Sequence, residues 1–566
     1  MDNENQKYIK KYDVVIVGSG AGAGPIAYEL SKSGKKVLVL EKGPWLKTED
    51  FFKDEIVATR RSVYTPNLKD EPQVIEELND KGEWEAKSNA DTQRDFWNGS
   101  VVGGSSNFMS GYFHRMKPID FKLKSEFGEI EGANIVDWPI SYDDLEPYYD
   151  KVEKVVGVSG EARKHSTLEP RSSLDFPFPP LNENIISSWI DNACRKEGYE
   201  AVRCARSILS ASKNERHSCS YSHYCGSYGC STGAKGSSRV ALLDEALKTG
   251  NLTISAFSKV FYLNSNENSR VTEAHFYNRE GEEKIVTADI FVVAGQAIES
   301  SRLLLMSKSN KFPNGLANNN GLVGKNIVFS GGGIGSGDLH KKDLEESDFE
   351  ELLRPGIFVN RSIQNWYSID DKDFGKAKGG TVDFLFEHSN PTGKAMRQKW
   401  NDDGTLLYGS NLKKKMKYYF TQMRKISFEV FNDWLPTDNC FVSLDPDVKD
   451  KWGDNVARIR ISNHEQDIKV GGFLAKRAEL VLKNLGAKNI TSSISGGAPP
   501  NLVAGGCRFG NDAKTSVLDK NCKAHEVENL YVTDASFMPT GGSVPYTWTI
   551  YANSFRVADE ILKKMD

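Results

Sequence analysis

Residues 12–43 read YDVVIVGSGAGAGPIAYELSKSGKKVLVLEKG. Val14 to Val17 form a short apolar run that predicts a buried strand, and a glycine turn follows. AGPIAYELSKSG then has helical spacing, and KVLVLEKG predicts a second strand ending in Glu41. That is one βαβ unit. Gly18 permits the tight turn, Gly20 lets the backbone approach a pyrophosphate, and Ala23 fills the third, closely packed place of GxGxx(G/A). The helix start offers free N–H groups to phosphate oxygens. Glu41 stands where an acid accepts hydrogen bonds from a ribose diol, and its charge disfavours a 2′-phosphate. A glycine pattern alone fits an ordinary turn. Strand, loop, helix, strand and terminal acid together predict a dinucleotide site.

The rest of the composition agrees with a small-molecule protein. A chain of 566 residues is too long for one simple core, so two structural regions are expected, interleaved in sequence. Hydrophobic residues at 39% describe a chain that buries a core rather than a disordered one. With 73 basic against 77 acidic residues and no basic tract, nothing points to nucleic acid. The longest apolar runs, such as IFVVAG at 290–295, are of strand length, so no membrane span is expected. The N-terminus passes from a polar tail into a strand without the apolar region of a signal peptide, which predicts a cytoplasmic chain.

Three further blocks extend the pattern. FWNGSVVGGSSNFMSGYFHR at 96–115 carries a second glycine pair, ADIFVVAGQAIESSRLLLMS at 288–307 runs from strand to helix, and ENLYVTDASFMPTGGSVPYTWTIYANSFRVADEIL at 528–562 repeats strand, turn and helix. In this order the four blocks resemble the glucose-methanol-choline (GMC) family of FAD-dependent oxidoreductases. The stretches at 136–160 and 507–536 look most like the gluconate, fructose and glycoside dehydrogenases of that family. The resemblance implies an α/β protein with a Rossmann-like FAD domain built from 1–115, 216–330 and 485–566. An antiparallel-sheet substrate domain would occupy 116–215 and 331–484. Carried over by position, Gly18, Gly20 and Glu41 hold the ADP half, while Gly103, Gly104, Ser105 and Asn107 pass over the pyrophosphate and flavin. Val260 would lie against adenine, Asp534 near the ribityl or phosphate groups, and Pro545 beside the flavin. Relatives with covalent flavin carry a histidine just after the glycine pair. Asn107 and Phe108 stand there, which predicts non-covalent FAD.

The same resemblance exposes a gap. Alcohol oxidation needs a base for the hydroxyl proton, worth about 10²–10⁴-fold in rate. The family's histidine place is Leu502 in LVAGGCRFG, and its Asn or His partner is Val544, before Pro545. The nearest polar residues in sequence are Asn501 and Tyr546, and His114 and His223 lie in loops that can fold over the site. A base of that worth corresponds to about 3 to 5 kcal/mol of barrier, so its loss slows hydride transfer without abolishing it.

Cys219, Cys225 and Cys230 fall within twelve residues of one glycine-rich loop. Thiolates so spaced can hold an iron–sulfur cluster, as some sugar dehydrogenases of the family do on a slightly different spacing. A disulfide plus a free thiol, three small residues in a packed loop, and zinc completed by His217 or His223 remain open. The resemblance implies oxidation of a CH–OH group of a sugar, sugar acid or glycoside, with electrons passed to a non-oxygen acceptor. A small subunit or a cytochrome would be the partner, and co-export with a signal-bearing subunit would make the chain periplasmic. Trp366, Tyr367, Trp400 and Trp434 are candidates for stacking on a sugar ring. The apolar Leu502 and Val544 also suit a same-fold flavoenzyme acting on an apolar substrate, or a non-catalytic FAD-binding subunit.

Overall fold

The computed structural model describes residues 8–565 apart from 53–63, 97, 164, 355, 388–390, 402 and 495–501. Val14, Val15 and Ile16 are fully buried, as are Val37 and Val39 in the next strand. Strands buried on both faces suit a parallel sheet covered on each side. Accordingly Tyr8–Val17, Val37–Leu40, Leu252–Ser255, Glu283–Val293 and Leu530–Val532 all run parallel within a seven-stranded sheet. The hairpin Lys259–Ser265 and Val271–Tyr277 extends it antiparallel from Glu283–Val293.

From Tyr8–Val17 the chain builds outward through Val37–Leu40 to Leu252–Ser255, then returns to place Glu283–Val293 on the other side. The order therefore reverses beside the first strand, and in open α/β sheets a crevice forms beyond the strand ends at that point. Helix Gly24–Lys32 covers one face together with the final helix Thr547–Met565, which also packs on Tyr142–Val152.

A second body stands over this crevice. Lys488–Ile494, Ser330–His340, Met423–Asp433, Gly380–Phe386, Val359–Ile363 and Ala201–Val202 form a six-stranded antiparallel sheet. Ile426, Phe428 and Val430 on one face pack with the helix Glu465–Asn484 into a separate core. A third sheet, which contains Val74–Leu78 and Phe441–Lys449, ends on the short strand Ala504–Gly506. The α/β class expected from the sequence is what the chain adopts, while Lys488–Ile494, expected in the FAD region, pairs within the antiparallel sheet.

Candidate cofactor groove and active site

Gly18 ends the first strand with φ +89°, and a Cβ there would lie 2.4 Å from the Ala294 carbonyl oxygen. Only glycine combines that left-handed turn with that approach. Gly20 lines a groove of about 370 Å³ that starts in the crevice, and no atom would obstruct a Cβ on it. Close helix–sheet packing falls on Gly22, whose Cβ would lie 2.6 Å from the Thr533 oxygen and the Asp534 nitrogen. Ala23, assigned that packing role by the sequence pattern, is buried in the core as the residue before the helix and does not line the groove. No side chain caps the first turn of the helix.

Glu41 lines the same end. Its carboxylate accepts from Ser19 Oγ at 2.5 Å and from Gly43 N at 2.9 Å. Burial raises its pKa, against the opposing pull of those bonds. Ser19 Oγ in turn accepts from Gly103 N at 2.9 Å and so ties the second glycine pair to the first. Gly103 and Gly104 have φ of +94° and +56°, and a Cβ on Gly104 would come 3.1 Å from Gly20 Cα. Gly104 and Ser105 line the groove. Asn107 does not: its amide donates to Val102 O at 2.9 Å and Gly104 O at 3.0 Å, pinning the turn from behind.

Val260 and Asp534 reach the groove from the hairpin and the last parallel strand. Asp534 is fully engaged, accepting from Ser300 Oγ at 2.5 Å, Gln296 N at 3.0 Å and both donors of Ser536. Asn98 and Ser100 also line the groove, and Asn98 Oδ1 and Ser100 Oγ are buried without a partner among the described residues. Buried polar groups are seldom left so.

The far end is different. Leu502 and Pro545 line it, Val544 is buried outside it, and Asn501 lies outside the described residues. Leu502 holds φ +56°. Tyr546 donates its hydroxyl to the Leu502 carbonyl, so the phenol braces the backbone of that loop. His114 and His223 do not fold over the groove. His223 donates to Gly356 O at 2.8 Å, and burial pulls its pKa down to about 4. Nor do Trp366, Tyr367, Trp400 or Trp434 line it; Trp434 and Tyr367 are core residues.

Glu429, which the sequence did not single out, occupies this end. It sits in strand Met423–Asp433 on the face opposite Ile426, Phe428 and Val430, paired across the sheet with Asp383. Tyr112 donates to its Oε2 at 2.8 Å. Burial and then Asp383, against the Tyr112 bond, bring its pKa up to about 7. Behind it His114 Nε2 lies 3.2 Å from Asp383 and 3.3 Å from Cys204 Sγ. Burial lowers the His114 pKa, but Cys204 and Asp383 outweigh it and raise the value well above normal.

Sequence profiles for GMC oxidoreductases match residues 12–329 and 436–554. The chain belongs to the GMC oxidoreductase family. It is 28% identical to 2-methyl-1,2-propanediol dehydrogenase of Mycolicibacterium austroafricanum over 98% of this chain and 95% of that protein. It is 26% identical to the fructose dehydrogenase large subunit of Gluconobacter japonicus over 98% of each. The structure of pyridoxine 4-oxidase from Mesorbium loti superposes with a TM-score of 0.60 at 16% identity, covering 98% of this chain and 99% of that one, which shows a shared fold.

As a GMC oxidoreductase the protein is an enzyme class that acts on CH–OH groups, with FAD as the implied cofactor. The groove fits that cofactor, since it joins glycine-lined backbone, the Glu41 carboxylate and the two unpartnered polar atoms of Asn98 and Ser100. The cysteine loop gives less. Cys219, Cys225 and Cys230 form no disulfide among the described residues. Among the described residues, only His114, Cys204 and Asp383 bring three ligand atoms within 4.8 Å of one another, so the loop thiols do not converge on a single ion. His223 Nε2 is bonded to Gly356 O, and no observation of the loop supports an iron–sulfur cluster. No helix among the described residues is long and apolar enough to cross a membrane.

Proposed function

We propose that this GMC oxidoreductase oxidises a CH–OH group of a sugar, sugar acid or glycoside and passes the electrons to a non-oxygen acceptor, a small subunit or a cytochrome. The observation that carries the proposal is the single groove running from the dinucleotide loops to a wall bearing one ionisable carboxylate, Glu429. The relatives named for a diol and for fructose support a polyhydroxyl substrate, and their naming as dehydrogenases supports the acceptor.

In this reading the backbone of Gly18–Gly22 and the uncapped helix start hold the pyrophosphate, where the helix dipole favours an anion. Glu41, oriented by Ser19 and Gly43, accepts from the ribose. Asn98 and Ser100 bond the polar edge of the ligand that covers them. FAD, when bound, supplies the hydride acceptor. Phe431, Leu502 and Ile550 exclude water around the reacting carbon. Those apolar side chains also favour a second reading, the same reaction on an apolar alcohol.

Anaerobic addition of a panel of sugars, sugar acids, glycosides and long-chain alcohols to the flavin-loaded protein separates the two. Bleaching of the oxidised flavin band by a polyhydroxyl compound is the expected result. Bleaching by long-chain alcohols alone supports the second reading, and a silent panel rejects both.

A further inference from the structure

We propose that Glu429 is the general base of this enzyme, in place of the imidazole whose family position is Leu502. Oxidising an alcohol to a carbonyl removes a hydride with its electron pair from carbon and a proton from oxygen. The family's flavin accounts for the hydride and leaves the proton to a protein group. The C–O single bond becomes double, the hydroxyl O–H bond breaks, and the proton forms a new O–H bond on the Glu429 carboxylate.

Three features of the geometry single it out. First, the other ionisable groups at that end are already committed. The Tyr546 hydroxyl is spent on Leu502 O and the Tyr112 hydroxyl on Glu429, and burial holds both phenols well above their usual value. Secondly, Glu429 is fixed in place: its strand is paired on both sides, to Asp383 and to Ile334, and Tyr112 anchors one oxygen at 2.8 Å. A carboxylate tethered through one oxygen leaves the other free to accept a proton. Thirdly, Glu429 has a way out. A second depression of about 480 Å³, lined by Leu385, Glu387, Lys394 and Arg397 among others, reaches the sheet, and among the described residues Glu429 alone lines both it and the cofactor groove. A proton taken on the groove side can leave through that opening.

The surroundings poise the group. Tyr112 faces it from the loop, Asp383 from the neighbouring strand with His114 and Cys204 behind, and Ile334 opposite adds no charge. Lys425, Lys394, Arg397 and Glu387 stand around the outer depression. An ideal base titrates near the working pH, which this placement achieves for a carboxylate.

The inference rests on the CH–OH reading above, and its test keeps the two apart. Glu429→Gln and Glu429→Asp are made as FAD-loaded proteins and checked first for unchanged flavin content. With an alcohol that reduces wild type anaerobically, flavin reduction is expected to rise with pH to a plateau above about 7, and Glu429→Gln to lower it by about 10²–10⁴-fold and flatten the profile. Glu429→Asp should keep the inflection with a smaller loss. Infrared difference spectra across the same pH range, taken without substrate, should show a carboxyl band that titrates near neutrality and is missing from Glu429→Gln. A variant within threefold of wild type, an inflection that survives Glu429→Gln, or a band titrating near the ordinary value of about 4.3 overturns the proposal. If no alcohol reduces wild type, the substrate reading fails, and the infrared result still decides whether Glu429 is poised as a base.

Discussion

The two ends of one groove are built on opposite terms. At the dinucleotide end the work is done by backbone, and the groove-lining carboxylates each accept from at least two protein donors: Glu41 from Ser19 and Gly43, Asp534 from Ser300, Gln296 and Ser536, and Glu299 from Gln73 and Arg302. At the substrate end the work falls to side chains on the antiparallel sheet, and Glu429 has one bond from Tyr112. The first end is fixed by turn geometry and tolerates little. The second is electrostatically unsettled, as a site that must gain and lose a proton has to be.

That contrast is broken most severely at Gly18. A Gly18→Ala side chain would sit 2.4 Å from Ala294 O at φ +89°, and left-handed strain plus overpacking cost about 2 to 5 kcal/mol. The variant is expected to purify without flavin or to fail to fold; a wild-type flavin-to-protein absorbance ratio would contradict the close approach.

Next in size is a stability effect at the other end. Glu429 carries a folded pKa of about 7, above its unfolded value, so its proton stabilises the fold below about pH 4.3 and that contribution is lost as pH rises through 7. Glu429→Gln should therefore be more stable than wild type at pH 8, by at most about 4 kcal/mol, with the gap closing toward pH 4. Thermal denaturation of both proteins across that range checks the sign.

Glu41→Gln keeps the shape but weakens the acceptor. A hydrogen bond to a charged group is worth about 1.5 to 3 kcal/mol, so FAD binding to the stripped protein should weaken by roughly ten- to hundredfold. Fluorescence titration measures it. The smallest change is at Tyr112. Its bond lowers the Glu429 pKa, so Tyr112→Phe should shift the Glu429 titration upward by about one unit or less, read by the infrared band.

The sequence carried the nucleotide end because that end is local. Gly18, Gly20 and Glu41 lie within 24 residues, and the turn they require is a property of the chain itself. Even there two assignments moved. Gly22, not Ala23, makes the close contact, because it is the residue facing Thr533 and Asp534, which arrive from the far end of the chain. Asn107 supports the glycine turn rather than facing the groove. His114 and His223, expected in loops that can fold over the site, are put by tertiary packing behind the wall and away from it.

By itself, then, the chain's sequence determined the dinucleotide turn and the family, since each rests on residue types at short fixed spacings. The tertiary structure alone decided the substrate end. Strand alternation in Met423–Asp433 sends Glu429 to the face away from Ile426, Phe428 and Val430, which in sequence reads as a face toward solvent. Whether that face meets water or a cofactor groove depends on where a second sheet stands. Docking over the crevice, that sheet half-buries Glu429 beside Asp383 and Tyr112, and that partial desolvation, together with Asp383, pushes its pKa up to about 7.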